Sequence, residues 1–165
     1  MKIQHLKIYC ASLEQQKYFY TQKFNFTLID EKEGEFTLKI GDSKLTFYEN
    51  KLQNSYYHFA FNIPIAALDK ALEWAKTKVD ILKCEDGEIQ EFVDWKAKAF
   101  YFLDPACNIV ELIAREPIKK RFSGKFSEKT ILNISEVGLP VFQVSNAFKH
   151  INTNTGIEVF DTNKT

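Results

Sequence analysis

A strand–helix–strand pattern that recurs three times is the feature of this sequence that most constrains its fold. Three short segments of alternating apolar and polar residues begin at residues 3, 56 and 134, and each has a polar residue at its third position. A second β-like segment follows at one fixed distance, from His5 to Phe26, from His58 to Val79 and from Glu136 to Ile157. A helical pattern lies between the two strands of each copy. Such self-similarity indicates a chain built from repeated structural units.

The copies differ after their second strand. The first two continue into further strands, whereas the third stops. The sequence therefore predicts an α+β fold, in which paired βαβββ modules form a cup-shaped mixed sheet and a half-module lies at the C-terminus. We place the first module at residues 1–52, the second at 53–115, a charged linker at 116–130 and a partial third module, with the order βαβ, at 131–165.

Composition excludes several classes of protein. The 22 Lys and Arg residues are balanced by 22 Asp and Glu residues, which argues against a nucleic-acid-binding protein, since phosphate binding needs an excess of basic residues. No stretch approaches the roughly 18 apolar residues of a membrane helix, and no signal-peptide pattern is visible. The three cysteines are widely spaced, which predicts reduced thiols rather than a disulfide framework. These features predict a cytoplasmic protein with no membrane partner.

Strand parity sorts the side chains of each module into an apolar face and a mixed, polar face. His5 and His58 lie on the polar face at equivalent positions, and Glu111 lies on the polar face of the strand that closes the second module. Packing of the modules by pseudo-symmetry would bring the three residues together. Two imidazoles and one carboxylate with open positions suit Fe(II) and related divalent metals. The alternative is that each histidine is an ordinary hydrogen-bonded strand residue.

Three segments resemble the vicinal oxygen chelate superfamily, which includes glyoxalase I, extradiol dioxygenases, fosfomycin-resistance thiol transferases and bleomycin-resistance proteins. They are residues 5–9 with Phe19 and Tyr20, residues 57–61 and residues 100–112. The last is the most specific, because the family's Asp-Pro-x-Gly-Asn turn leads directly to its metal-binding glutamate. Here the turn spans residues 104–108, and Cys107 stands at the position of the usual glycine.

The resemblance implies a site as well as a fold. His5, His58 and Glu111 match the family's metal ligands, and Tyr101 matches a tyrosine that contacts substrate, which we assign as catalytic. The metal expected is Fe(II) or Mn(II), with Zn(II) or Ni(II) as further candidates. Thr46 stands where glyoxalase I has a second glutamate. Glyoxalase I activity is therefore disfavoured, because its isomerisation requires a carboxylate base beside the metal.

This site supports two hypotheses about function. The first is a metal-dependent, dioxygenase-like oxidoreductase acting on a small organic substrate. The alternative is a metal-free binding or resistance protein that sequesters a small molecule in the same cup. In either case the substrate-binding residues predicted on the cup side are Lys7, Tyr9, Thr46, Tyr48 and Tyr56.

The third copy adds an expectation about assembly. If the half-module is the remnant of a longer, four-module chain, Glu136 at its histidine position marks a module that has lost its metal. The unpaired strand edges of a half-module require a partner, which predicts a homodimer. In one form of this dimer the modules are exchanged, so that His5 comes from one subunit and His58 with Glu111 from the other.

We expect sedimentation equilibrium to give twice the mass of the chain, because pairing of strand edges between two copies satisfies their backbone groups. A monomer mass at all protein concentrations would contradict this prediction.

Overall fold

The computed structural model describes residues 2–52, 55–84 and 87–157, and it contains two mixed β-sheets and three α-helices within these ranges. The first sheet comprises β1 (His5–Cys10), β2 (Leu28–Lys32), β3 (Glu35–Ile40) and β4 (Ser43–Glu49). The second comprises β5 (His58–Ile63), β6 (Ile81–Leu82), β7 (Gln90–Phe92), β8 (Ala97–Leu103), β9 (Ile109–Arg115) and β10 (Asn133–Val137). The helices are α1 (Leu13–Tyr18), α2 (Leu68–Lys76) and α3 (Val144–Thr155).

The strand order reveals the repeat. The first sheet has the order β1-β4-β3-β2, and the second has the order β10-β5-β9-β8-β6, with β7 also paired to β8. The first strand of each module lies parallel to its last, β1 beside β4 and β5 beside β9. This topology confirms the predicted α+β fold of paired βαβββ modules. The second module carries one additional short strand.

Local signals explain where the helices begin. Ser12 caps α1, and its hydroxyl accepts a hydrogen bond from the backbone N–H of Gln15 at 3.4 Å. The helix continues as a π-helical turn, Phe19–Lys23, which buries Phe19 and Tyr20. A 3₁₀ turn, Ile65–Ala67, leads from Pro64 into α2. None of the helices described has the length and apolar character that a bilayer-spanning segment requires.

An aromatic core on the helix side of the sheets joins the two modules. Phe24, which follows the π-helical turn, stacks on Phe102 of β8 with ring centroids 5.1 Å apart, and Phe26 meets Phe61 of β5 edge-on at 5.9 Å. All four rings are at most 4% exposed. Burial of such large apolar surfaces, together with their ring geometry, is the main source of stability between the modules.

The third copy does not form an appendage. Its first strand, β10, pairs antiparallel with β5, with a register shift between Ile134 and Glu136. Both edges of β5 are therefore occupied, one by β9 and the other by β10. The helical pattern predicted between the two strands of this copy corresponds to α3, Val144–Thr155. Of the second strand predicted for this copy, at residues 157–159, all but Ile157 lies outside the described residues.

Gly41 allows the segment before β10 to approach the first sheet. Its φ is +53°, and a Cβ atom added there would lie 2.1 Å from the carbonyl oxygen of Leu132. The backbone N–H of Asp42 donates to that oxygen at 2.8 Å, and the N–H of Leu132 donates to the carbonyl of Asn62 at 2.9 Å. These bonds connect β4, the β10 segment and β5, so a side chain at position 41 would force them apart.

We expect Gly41→Ala to lower the free energy of unfolding by about 3 kcal/mol, because a left-handed backbone and a steric clash act together. Gly34→Ala is the matched control. Gly34 has a φ of +78° with open space around the added Cβ, so its substitution should cost only about 1 kcal/mol. Urea denaturation measures both, and equal losses would show that the contact with Leu132 is unimportant.

Candidate functional site

His58 and Glu111 lie together on the polar face of the second sheet. The parallel register places Ala60 opposite Glu111 and His58 opposite Ile109. His58 Nε2 lies 2.8 Å from Glu111 Oε2, and the glutamate is only 2% exposed. The hydrogen bond and the negative charge of Glu111 raise the pKa of His58, against the opposing effect of burial. Two of the three predicted metal ligands are thus in direct contact.

Tyr101 extends this pair. It lies opposite Glu111 in the register of β8 and β9, and its hydroxyl donates to Glu111 Oε1 at 3.4 Å. Burial and the charge of Glu111 raise the pKa of Tyr101. The phenol therefore keeps its proton and acts as a hydrogen-bond donor to the carboxylate. The ring of His58 lies 6.1 Å from that of Tyr101.

His5, the third predicted ligand, has a different partner. Its Nε2 lies 2.7 Å from the hydroxyl of Thr46, which in turn lies 2.7 Å from the hydroxyl of Thr37. Partial burial, followed by the charges of Lys7 and Lys44, lowers the pKa of His5. Because Thr46 is 1% exposed, its hydroxyl supports His5 rather than facing a solvent-filled space.

The other predicted substrate-binding residues are divided between two places. On the first sheet, Tyr9 and Tyr48 have ring centroids 6.0 Å apart, and the ammonium of Lys7 lies 5.9 Å from the centroid of Tyr48. Tyr56 precedes β5 and is 65% exposed, beside His58.

The predicted convergence of His5, His58 and Glu111 is not found in the part of the chain that the structure describes. There, no group of three or more His, Cys, Asp or Glu side chains is placed to hold a metal ion. The physical reason is that β10 occupies the edge of β5 that β1 would need in order to bring His5 beside His58. The donor set as arranged does not fit a three-ligand metal, and metal binding by these three residues stays a prediction.

Two residues that the sequence pattern did not assign to the site complete the network. Glu136 of β10 lies across Ala60 from Glu111 and forms an ion pair with Arg115 of β9. Burial and the negative charge of Glu111 raise the pKa of Glu136. The alignment of Glu136 with His5 and His58 is a usable signal in the sequence. Arg115 lies on the same face of its strand as Glu111, which is a weaker sequence signal.

A cavity of about 330 Å³ lies beside His58. Its walls come from the second module and from the segment after β10, and they include Tyr56, Ile109, Leu139 and Pro140. Gly138 lies against the imidazole, since a Cβ added there would be 3.8 Å from His58 Nδ1. The predicted residue Tyr56 is thus next to His58, whereas Lys7, Tyr9, Thr46 and Tyr48 are absent from this wall.

One buried amide on the same face has an oxygen without a partner among the described residues. Asn62 follows His58 and Ala60 at the same strand parity, and it is 9% exposed. Its Nδ2 donates to Asn133 Oδ1 at 2.8 Å, but no described group donates to its Oδ1. Buried polar atoms are usually paired, so this oxygen is an unused acceptor on the polar face of β5.

The turn before β9 positions both His58 and Glu111. Asp104 accepts hydrogen bonds from the backbone N–H groups of Ala106 and Asn108 at 2.9 and 3.0 Å and from the hydroxyl of Tyr20 at 2.9 Å. Asn108 Oδ1 accepts from the backbone N–H of Tyr57 at 2.9 Å, which ties the start of β5 to the start of β9. Cys107 takes a φ of +60° here, the conformation for which glycine is favoured.

Comparison with known proteins places these observations in context. The family model for the Glyoxalase/Bleomycin resistance protein/Dioxygenase superfamily matches residues 2–112. No curated protein matches the chain. Similar solved structures include a glyoxalase/bleomycin resistance protein/dioxygenase from Nocardioides, with 18% identity over 75% of this chain and 90% of that chain, and a TM-score of 0.56.

Two further structures are similar. Lactoylglutathione lyase from Agrobacterium tumefaciens has 17% identity over 68% of this chain and 92% of that chain, with a TM-score of 0.56. The fosfomycin resistance protein FosX from Listeria monocytogenes, complexed with Mn(II) and sulfate, has 22% identity over 68% of this chain and 89% of that chain, with a TM-score of 0.53. At these identities the likeness shows a shared fold.

We expect Cys107→Gly to raise the free energy of unfolding by about 0.5–1 kcal/mol, because glycine removes the strain of the left-handed backbone. Cys107→Ala is the control, since it removes the thiol and keeps Cβ. Urea denaturation should show a gain for glycine only. An equal gain for both variants would attribute the effect to the thiol instead.

Proposed function

Since this chain belongs to the Glyoxalase/Bleomycin resistance protein/Dioxygenase superfamily, we propose that it binds a small organic molecule beside His58, on the polar face of its second sheet, without a three-ligand metal site. The observation that carries this proposal is the separate pairing of His5. His5 Nε2 is bonded to Thr46 on the first sheet, whereas His58 and Glu111 lie on the second sheet, so the third candidate ligand satisfies another group.

The cavity supports the binding of a ligand. Its volume of about 330 Å³ lies at the lower end of the range of small-molecule sites, which are typically apolar with a few polar groups. Tyr56, Ile109 and Leu139 supply apolar and aromatic surface, and His58 supplies the polar group. Glu111 bonds to the imidazole and in turn accepts from Tyr101, which fixes the orientation of the His58 ring.

The metal-dependent, dioxygenase-like enzyme is the second candidate function. It is favoured by the direct contact of His58 with Glu111, which are two of its three predicted ligands, and by the Mn(II) bound to the similar FosX protein. His5, His58 and Glu111 would hold the Fe(II) or Mn(II), and Tyr101 would contact the substrate. Because β10 lies beside β5, this function requires His5 to reach the pair from another position.

Metal titration distinguishes the two candidates. We expect Fe(II), Mn(II), Zn(II) and Ni(II) to change the free energy of unfolding of the metal-free protein by less than about 0.5 kcal/mol. A site filled at a hundred times its dissociation constant would instead add about 2.7 kcal/mol. Thermal unfolding with each metal, with elemental analysis of the purified protein, measures this.

The controls use the three histidines of the chain. A stabilisation by metal that is lost in His5→Ala and in His58→Ala, but kept in His150→Ala, would refute the metal-free proposal in favour of the enzyme. His150 is exposed on α3 and bonds within its own helix, so its substitution leaves the site intact.

A further inference from the structure

Basic side chains form a row across three strands of the first sheet. The register places His5 of β1 beside Lys44 of β4, and Lys44 beside Lys39 of β3. Neighbouring strands lie about 5 Å apart, and residues paired in register project from the same face of the sheet. Both lysines are exposed. The polar face of this sheet therefore carries two adjacent ammonium groups.

A third ammonium group lies one row further along the strands. Lys7 is paired with Thr46, two residues beyond Lys44 on β4, which corresponds to about 7 Å. Its Nζ lies 5.9 Å from the ring centroid of Tyr48, a residue of the row after that. The charge of Lys7 therefore lies between the basic row and an aromatic row on the same face.

The lysines of this face, Lys7, Lys39 and Lys44, form no ion pair within the ranges that the structure describes. Asp42, in the turn after β3, pairs with Lys2 at 3.1 Å. The hydrogen bond and charge of Lys2, followed by the charge of Lys39, lower the pKa of Asp42. That carboxylate is thus shared between two cations, and Lys7 and Lys44 keep an uncompensated charge among the described residues.

The acidic side chains of this face lie toward its opposite edge. Glu35 of β3 and Asp30 of β2 both pair with Lys32, at 3.7 and 3.2 Å. The whole chain has 22 basic and 22 acidic side chains, so the excess of positive charge around Lys7 and Lys44 is local. Such an excess attracts anions.

Two tyrosines beside Lys7 offer a surface for an aromatic ring. Tyr9 and Tyr48 are paired in register, with ring centroids 6.0 Å apart and ring planes inclined by 51°. Tyr9 is 48% exposed, and aromatic rings attract one another in tilted and offset arrangements. A ligand ring packed on Tyr9 would lie next to Lys7, and the long, flexible side chain of Lys44 can reach an anionic group beside that ring.

The cations of this face favour a phosphate group. A lysine ammonium is a point charge with three rotatable donors, and lysine binds phosphate in this way. Several such charges favour a doubly charged anion over a singly charged one, because the Coulomb energy grows with the charge of the anion. A phosphate monoester carries nearly two negative charges above its second pKa of about 6.

We propose that the polar face of the first sheet binds an aromatic phosphate monoester. Lys7 and Lys44 bind its phosphate group, Lys39 adds to the positive field, and Tyr9 and Tyr48 pack against its ring. This site lies on a different sheet from the cavity beside His58, so it goes beyond the proposed function and does not depend on it.

Four probes test this proposal: phenyl phosphate, phenyl sulfate, phenol and inorganic phosphate. They are titrated at low ionic strength and at about pH 8, above the usual pKa of histidine and below that of lysine, with EDTA present to remove metal ions. Amide chemical shifts, followed by NMR, report binding and its location. We expect phenyl phosphate to bind at least about fivefold more tightly than each of the other three, with the largest shifts at Lys7, Tyr9 and Lys44.

Matched variants separate the contribution of charge from that of the ring. Lys7→Gln and Lys44→Gln should each weaken binding of both phenyl phosphate and inorganic phosphate about fivefold, whereas Lys149→Gln, at an exposed position on α3, should weaken neither. Tyr9→Leu should weaken phenyl phosphate about threefold and change inorganic phosphate less than about twofold. Tyr18→Leu is its control, because Tyr18 is 61% exposed on α1.

Equal binding of phenyl phosphate and phenol, or unchanged binding in Lys7→Gln and Lys44→Gln, would overturn the inference. Inorganic phosphate bound as tightly as phenyl phosphate would also overturn it, because the tyrosines would then have no part in binding. Shifts confined to His58, Gly138 and Ile109 would place the probe in the cavity of the second sheet, which would overturn this inference and support the proposed function. No binding of any probe would overturn this inference and leave the proposed function as it stands.

Discussion

Occupation of both edges of β5 is the constraint on which the rest of this site depends. β9 on one side brings Glu111 to His58, and β10 on the other brings Glu136 and Gly138. A strand has only two hydrogen-bonding edges, so once β9 and β10 are paired, β1 has no place beside β5. The separation of His5 from His58 is a direct result. It is a consequence of backbone pairing rather than of any side chain at the site.

The pairing is held in place from two directions. On the helix side, the rings of Phe24 and Phe102 fix the modules to each other. At the turn before β9, Asp104 bonds to the first module through Tyr20, and Asn108 ties β9 to the start of β5. Backbone distortion at Cys107 is tolerated there because this network specifies the turn. The position of the Glu111 carboxylate therefore depends on residues that never touch it.

Much of this arrangement can be predicted from the sequence. The part that cannot is which residues lie next to one another on the polar faces. Alternation identifies the strands and their polar faces, and it places His58 and Glu111 on the polar side of their strands. Glu136 aligns with the two histidines, but the alignment does not predict which residues Glu136 contacts. Thr46 is predicted to contact substrate, whereas it is buried against His5. Alternation along a strand predicts the face on which a side chain lies, but it does not predict which other residues pack against that side chain.

The sequence by itself determined the set of strands and helices, the repeat and the polar face of each strand, because these depend on local periodicity and turn residues. Only the tertiary structure decided which strand lies beside β5. Backbone N–H and C=O groups are the same at nearly every residue, so the pattern of one strand does not name its neighbour. Contacts between residues distant in sequence, such as that between Gly41 and Leu132, determine which strand pairs with β5. They therefore also determine which charged residues lie near His58.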